Sequence, residues 1–249
     1  MNIEAIQPGA WLQLIRAQCL NLVREPAYTL PTLLFPVMFY AFFGLVMVPG
    51  QAAWLLCTFA TFGVVGAALF SFGVGIATER AQGWLKLLRA SPAPITAVIA
   101  GKAFGAMLFG LMIVVLMSAL AAGLGDVRLF TGQWLGLAAV LVAGTLPFSL
   151  IGLSLGLWLS PNAAPAVINI VFLPMVFLSG LWVPVTQFPA WLQAFAPWLP
   201  PYHLAELALH VAAVKPADVM VSVAALLGYS VLFGVLTAIG WRRLDGVRA

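Results

Sequence analysis

Residues 52–77 read AAWLLCTFATFGVVGAALFSFGVGIA, twenty-six positions without one charged side chain. A bilayer's hydrocarbon core is about 30 Å thick, and about 20 apolar helical residues cross it. This stretch therefore predicts a transmembrane helix. Five more uncharged stretches flank it, at 27–48, 103–124, 134–159, 165–183 and 219–241. Together they predict an all-α membrane protein with six transmembrane helices. Several carry prolines: Pro31 and Pro36 in the first, Pro147 in the fourth and Pro174 in the fifth. Within a membrane, neighbouring helices can satisfy the carbonyls that proline frees.

Composition agrees. The 249 residues are 63% hydrophobic and 7% charged, whereas a soluble domain carries roughly 25% charged residues. A surface so poor in charge must face lipid. The net charge of +4 is spread thinly. No basic run exceeds Arg242-Arg243, so a nucleic-acid partner is not expected. Cys19 and Cys57 form no CxxC pair and read as small buried or lipid-facing thiols. The opening MNIEAIQPGA lacks a basic n-region, and no cleaved leader is expected.

The connecting segments set the orientation. One side collects Arg16, Arg24, Arg80, Lys86, Arg89, Lys102, Arg242, Arg243 and Arg248, and the other collects Arg128 and Lys215. Nine basic residues against two mark the first side as cytoplasmic. Both termini are then cytoplasmic, which requires an even number of spans. Trp54, Trp134, Trp182, Trp191 and Trp198 fall at the outer interface, and Trp11, Trp84, Trp158 and Trp241 at the inner one, as aromatic belts do.

Three segments are not simple spans or loops. In 10–24, Trp11, Leu12, Ile15, Cys19, Leu22 and Val23 share a helical face, while Gln13, Arg16, Asn21 and Arg24 lie elsewhere. This pattern predicts an amphipathic helix lying in the interface, or one packed on the protein's own cytoplasmic end. Residues 78–97, TERAQGWLKLLRASPAPITA, predict a short charged helix in the cytosol. Trp84, Leu85 and Leu88 lie together, and Ser91-Pro92 stops it. A soluble motor could grip such a helix, and anionic lipid could hold it equally. Residues 184–216 are apolar but broken by Pro189, Pro197, Pro200 and Pro201. Each piece is too short to cross, which predicts re-entrant or interfacial helices in the outer leaflet.

Reactive chemistry is sparse. No ionisable residue occupies the middle of a span, which argues against proton- or sodium-coupled transport. Gly101-Lys102 lacks the rest of a phosphate-binding loop, so ATP hydrolysis within this chain is not expected. No metal site is expected either. The nearest constellation is His203, Glu206 and His210, at i, i+3 and i+7. It reads first as a polar stripe toward the outer vestibule or the headgroups. Gly63/Gly66, Gly101/Gly105 and Gly152/Gly156 would let helices approach closely.

The chain resembles the permease subunits of bacterial ABC-2 type transporters. Three segments carry the likeness. Arg24-Glu25-Pro26 leads into the Pro-containing LPTLLFPVMFYAFFG. Glu79-Arg80 is followed by Gly83, by Leu87-Leu88-Arg89-Ala90-Ser91-Pro92 and by Gly101-Lys102. Ser179-Gly180 precedes Pro184, Phe188-Pro189, Trp191-Leu192 and Pro197. The resemblance implies two permease copies, here a homodimer, working with two ATP-binding subunits that hold ATP and magnesium. It makes Glu79, Arg80, Gly83, Lys86, Leu88, Arg89 and Pro92 the coupling helix docked on the ATPase. Trp11, Ile15, Arg16 and Arg24 would belong to the interfacial connecting helix. It also implies an inner-membrane exporter of amphipathic or lipid-like cargo such as glycolipids, drugs or antibiotics, moved along spans one, two and five. The connection 49–51 is too short for the large outer domain of some relatives. A membrane-embedded lipid-modifying enzyme and an assembly factor are the alternatives.

Overall fold

The computed structural model describes residues 26–83 and 95–246. The expected interfacial helix at 10–24, with Trp11, Ile15, Arg16 and Arg24, lies outside the described residues. So do Lys86, Leu88, Arg89 and Pro92. Among the described residues every regular element is helical. Helix α1 (Pro26–Tyr40) continues as a π-helical stretch, Ala41–Met47. A 3-10 turn, Pro49–Gln51, leads into α2 (Ala52–Ala81). Then follow α3 (Ile95–Leu124), α4 (Thr131–Ala143), α5 (Thr145–Trp158) and α6 (Ala164–Leu178). Short pieces come next: a 3-10 turn at Val185–Gln187, α7 (Ala190–Phe195), another 3-10 turn at Ala196–Trp198, and α8 (Pro200–Val211). The last helix, α9, spans Val219–Gly246.

Five helical stretches are long and apolar enough to cross a membrane: Leu30–Met47, Ala52–Ala81, Ile99–Leu124, Thr131–Trp158 and Val219–Arg242. The stretch expected to span at 165–183 is a shorter helix, Ala164–Leu178. Its 15 residues rise only about 22 Å. Two features stop it early. The Ser179 hydroxyl donates to the Met175 carbonyl at 2.6 Å, and Gly180 turns the chain at a φ of +79°, which glycine tolerates freely.

Thr131–Trp158 is interrupted at Gly144, between α4 and α5. Pro147 has no N–H to give the carbonyl four residues earlier, which breaks the helical ladder there. Thr145 Oγ1 donates to Val142 O at 2.7 Å, supplying a local replacement. The lack of a side chain at Gly144 lets α8 come close, since a Cβ there would lie 2.4 Å from Leu204 Cδ1.

Helix α2 is the hub of the bundle. Its apolar window is 89% buried, against 11% for α9, so α2 is surrounded by protein and α9 lies at the periphery. Small residues make this possible. A Cβ on Gly63 would lie 2.9 Å from Pro36 of α1, and one on Gly66 would lie 3.0 Å from the Phe172 ring of α6. Cβ atoms on Gly152 and Gly156 of α5 would lie 2.8 Å from Leu69 O and 2.6 Å from Gly73 O of α2. The α2 and α5 backbones are therefore in direct contact, as small-residue interfaces allow.

Candidate functional site at the basic end of the bundle

Helix α2 has 30 residues, about 45 Å of rise, well beyond the hydrocarbon thickness of about 30 Å. That excess length leaves room for polar ends, and the charged Glu79 and Arg80 lie in its final turn. Consecutive helical residues point about 100° apart, so the two side chains reach different neighbours. Glu79 Oε1 accepts from Lys102 Nζ of α3 at 2.5 Å. Lys102 is 11% exposed and Glu79 27%, so the pair is mostly sheltered. The other carboxylate oxygen, Oε2, is buried without a hydrogen-bond partner among the described residues.

Arg80 reaches the end of α5. Its Nη1 donates to Leu157 O, and its Nη2 donates to Leu159 O at 2.5 Å. The last carbonyls of a helix have no donor within the helix. They also form the negative end of the helix dipole, where a cation is favoured. One guanidinium fork meets both needs.

Apolar packing reinforces the tie. Phe72 and Ile76 of α2, Ala106 of α3, and Leu153 and Leu157 of α5 form a core separate from the main one, with Ile99, Ala103 and Trp241 against it. Trp241 brings in α9, whose Gly240 lies against the Trp158 indole. The basic ends of α2, α3, α5 and α9 thus form one knot. Arg80 and Lys102 belong to this end, while Arg128 and Lys215 lie at the opposite end of the bundle. Gly83 follows at a φ of +78°, turning the chain off the C-terminus of α2.

At the opposite end, α8 packs on α2, α4 and α9. It separates the three polar residues singled out above. His203 is buried, with Nε2 2.9 Å from Pro197 O and Nδ1 3.4 Å from Ser222 Oγ. Nε2 therefore carries the proton and donates to the carbonyl. Burial lowers the His203 pKa from the ordinary imidazole value, against the opposing pull of the Pro197 bond and of Glu206. Glu206 takes Lys215 Nζ on both oxygens, at 2.7 and 2.9 Å. His210 Nδ1 accepts the Ala217 N–H at 3.2 Å. His203 and His210 also stand about 10 Å apart along the helix axis. Among the described residues no three His, Cys, Asp or Glu side chains are grouped to hold a metal ion.

A third feature was not anticipated. Aromatic rings from α1, α2, α6 and the loop after it are in continuous contact. Ring centroids lie 5.9 Å apart for Phe39–Phe59, 5.3 Å for Phe62–Phe172 and 5.7 Å for Phe62–Trp182. Trp182 Nε1 is a buried donor with no acceptor among the described residues.

The fold and this basic end define a multi-pass helical membrane protein that carries a charged junction where α2 leaves the bilayer. Residues 9–212 match the profile of the ABC-2 type transporter family, and the chain belongs to that family. It is similar to a Bacillus subtilis (strain 168) protein described as "Putative transport permease YvfS". The two are 27% identical over 193 residues, covering 75% of this chain and 79% of the relative. The chain is a transport permease by family.

Proposed function

We propose that the chain is the membrane subunit of an ATP-driven exporter in a bacterial inner membrane. In this reading it spans the bilayer six times, with α6 as the shortest crossing and both termini in the cytoplasm. Family membership carries the reading. ABC-2 permeases work with an ATP-binding subunit, and the segment from Glu79 to Pro92 is the part that would dock on it. Gly83, Lys86, Leu88, Arg89 and Pro92 would meet the partner, which binds ATP and magnesium. The helix at 10–24 would lie alongside, in the interface. Helices α7 and α8 would sit in the outer leaflet.

The described structure supports a homodimer. Asn169 is exposed on α6 beside exposed Ile170, Leu173 and Phe177. Its side-chain amide donates to Pro165 O of its own helix at 3.0 Å. Polar groups facing lipid are unfavourable, and an amide on such a face is satisfied by another helix. The cargo in this reading is apolar or amphipathic, since the apolar stretches that cross the bilayer carry no ionisable side chain in their middle to guide an ion.

Affinity purification of the tagged chain, co-expressed with its ATP-binding subunit, tests the reading. A complex of two permeases and two ATPases is expected. A permease that purifies alone at every ratio of expression contradicts it.

A further inference from the structure

We infer that Glu79 and Arg80 act inside the permease, as positioning residues that lock the basic ends of α2, α3 and α5 into one body. This rests on the permease reading and divides the labour of the coupling segment. The segment from Gly83 onward would touch the ATPase, and Glu79 and Arg80 in the last turn of α2 tie the moving part to the bundle.

The geometry leaves Arg80 no reach to spare. Both of its terminal nitrogens are engaged by α5 carbonyls, and Glu79 is held by Lys102 of α3. Below them the α2 and α5 backbones touch at Gly73, Gly152 and Gly156, so these helices cannot slide without clashing. The apolar cluster around Phe72 and Leu157 adds α3 and α9. Among the described residues neither α1 nor α6 contributes a side chain to that cluster. A displacement applied at Gly83 is therefore delivered to α2, α3 and α5 together and not to α2 alone. Arg80 matters because it carries two polar bonds from the last turn of α2, next to Gly83, to the end of α5. Without the fork those C-terminal carbonyls lose their donors, and α2 and α5 stay joined by apolar packing and by backbone contact further along the helices.

The test uses the complex of permease and ATP-binding subunit in vesicles of phosphatidylethanolamine and phosphatidylglycerol. It measures stimulation of ATP hydrolysis over the isolated ATP-binding subunit. Arg80→Gln should co-purify with its partner at wild-type stoichiometry but lose stimulation by roughly tenfold or more, the scale of a lost charged hydrogen-bond pair. Arg80→Lys, which keeps the charge but not the fork, should recover part of it. In a Cys19→Ser background, Glu79→Cys with Lys102→Cys joined by a short bismaleimide should hydrolyse at least as fast as the same double variant before cross-linking, because those ends need not separate. Three results overturn the inference: wild-type stimulation by R80Q, loss of ATPase binding by R80Q, or arrest by the cross-link. A wild-type permease that neither binds nor stimulates the ATPase overturns the permease reading itself.

Discussion

The substitution Gly156→Ala tests the closest approach in the fold. An added Cβ would lie 2.6 Å from Gly73 O, 3.0 Å from Phe72 O and 3.2 Å from Gly73 Cα. All three are backbone atoms of α2, so no side chain can rotate aside. Moving the first contact out from 2.6 Å to an ordinary 3.4 Å requires about 0.8 Å of separation between the helices. Overpacking a tight contact costs about 1–3 kcal/mol, and a rigid backbone places this site in the upper part of that range. Removing a helix glycine returns about 1 kcal/mol at most, leaving a net loss of about 1–2 kcal/mol. At roughly 2–4 °C per kcal/mol for a chain of this length, the melting temperature should fall by about 2–8 °C. Cys57 is fully buried and supplies the assay. In a Cys19→Ser background, a coumarin maleimide reacts with it as the bundle opens on heating. Gly228→Ala is the control, because nothing lies within 4 Å of its Cβ position. A G156A protein that melts at or above the wild-type temperature, while G228A does the same, would refute the backbone contact.

Two further expectations concern charge. His203 has a folded pKa below its unfolded value, so the fold prefers the neutral ring. That contribution is complete above about pH 6.5 and is lost as pH falls through the folded value. The melting temperature should drop on acidification from pH 7.5 to 5.5, and His203→Asn should flatten that slope; an unchanged slope would count against a buried neutral ring. Lys102→Met should cost about 1–3 kcal/mol by leaving the sheltered Glu79 carboxylate without its cation. Adding Glu79→Gln should recover part of the loss, and strict additivity in the double variant would mean that the pair is not coupled.

Much of this architecture is legible in one sequence because membrane spans follow from hydropathy alone. Residues 52–77 contain the apolar body of α2, and the pairs Gly63/Gly66 and Gly152/Gly156 point to close helix contacts. What they meet is not legible. Gly73 is the partner of Gly156, yet nothing in the spacing of either helix links them. The early end of α6 depends on a left-handed Gly180, and hydropathy carries the apolar run on to Val183. Pro147 is visible in the fourth span, but the interruption at Gly144 is not read from it. Arg80 reads from the sequence as a charge at the end of a span, facing the cytosol. Its use as a clamp on Leu157 and Leu159 appears only when α5 is docked beside α2. His203, Glu206 and His210 share a face by periodicity, but their partners come from Pro197, Ser222, Lys215 and Ala217. Those residues lie outside the helical turn in which the pattern is read, except where the chain returns through the loop after α8.

The claim that this chain converts a partner's ATP hydrolysis into work is tested most directly by one rate. ATP turnover by the ATP-binding subunit should be measured alone and with the chain in lipid vesicles. The account predicts a turnover that rises when the chain is present and falls back in the Arg80→Gln complex. Equal turnover with and without the chain, in a preparation where the two co-purify, would contradict it.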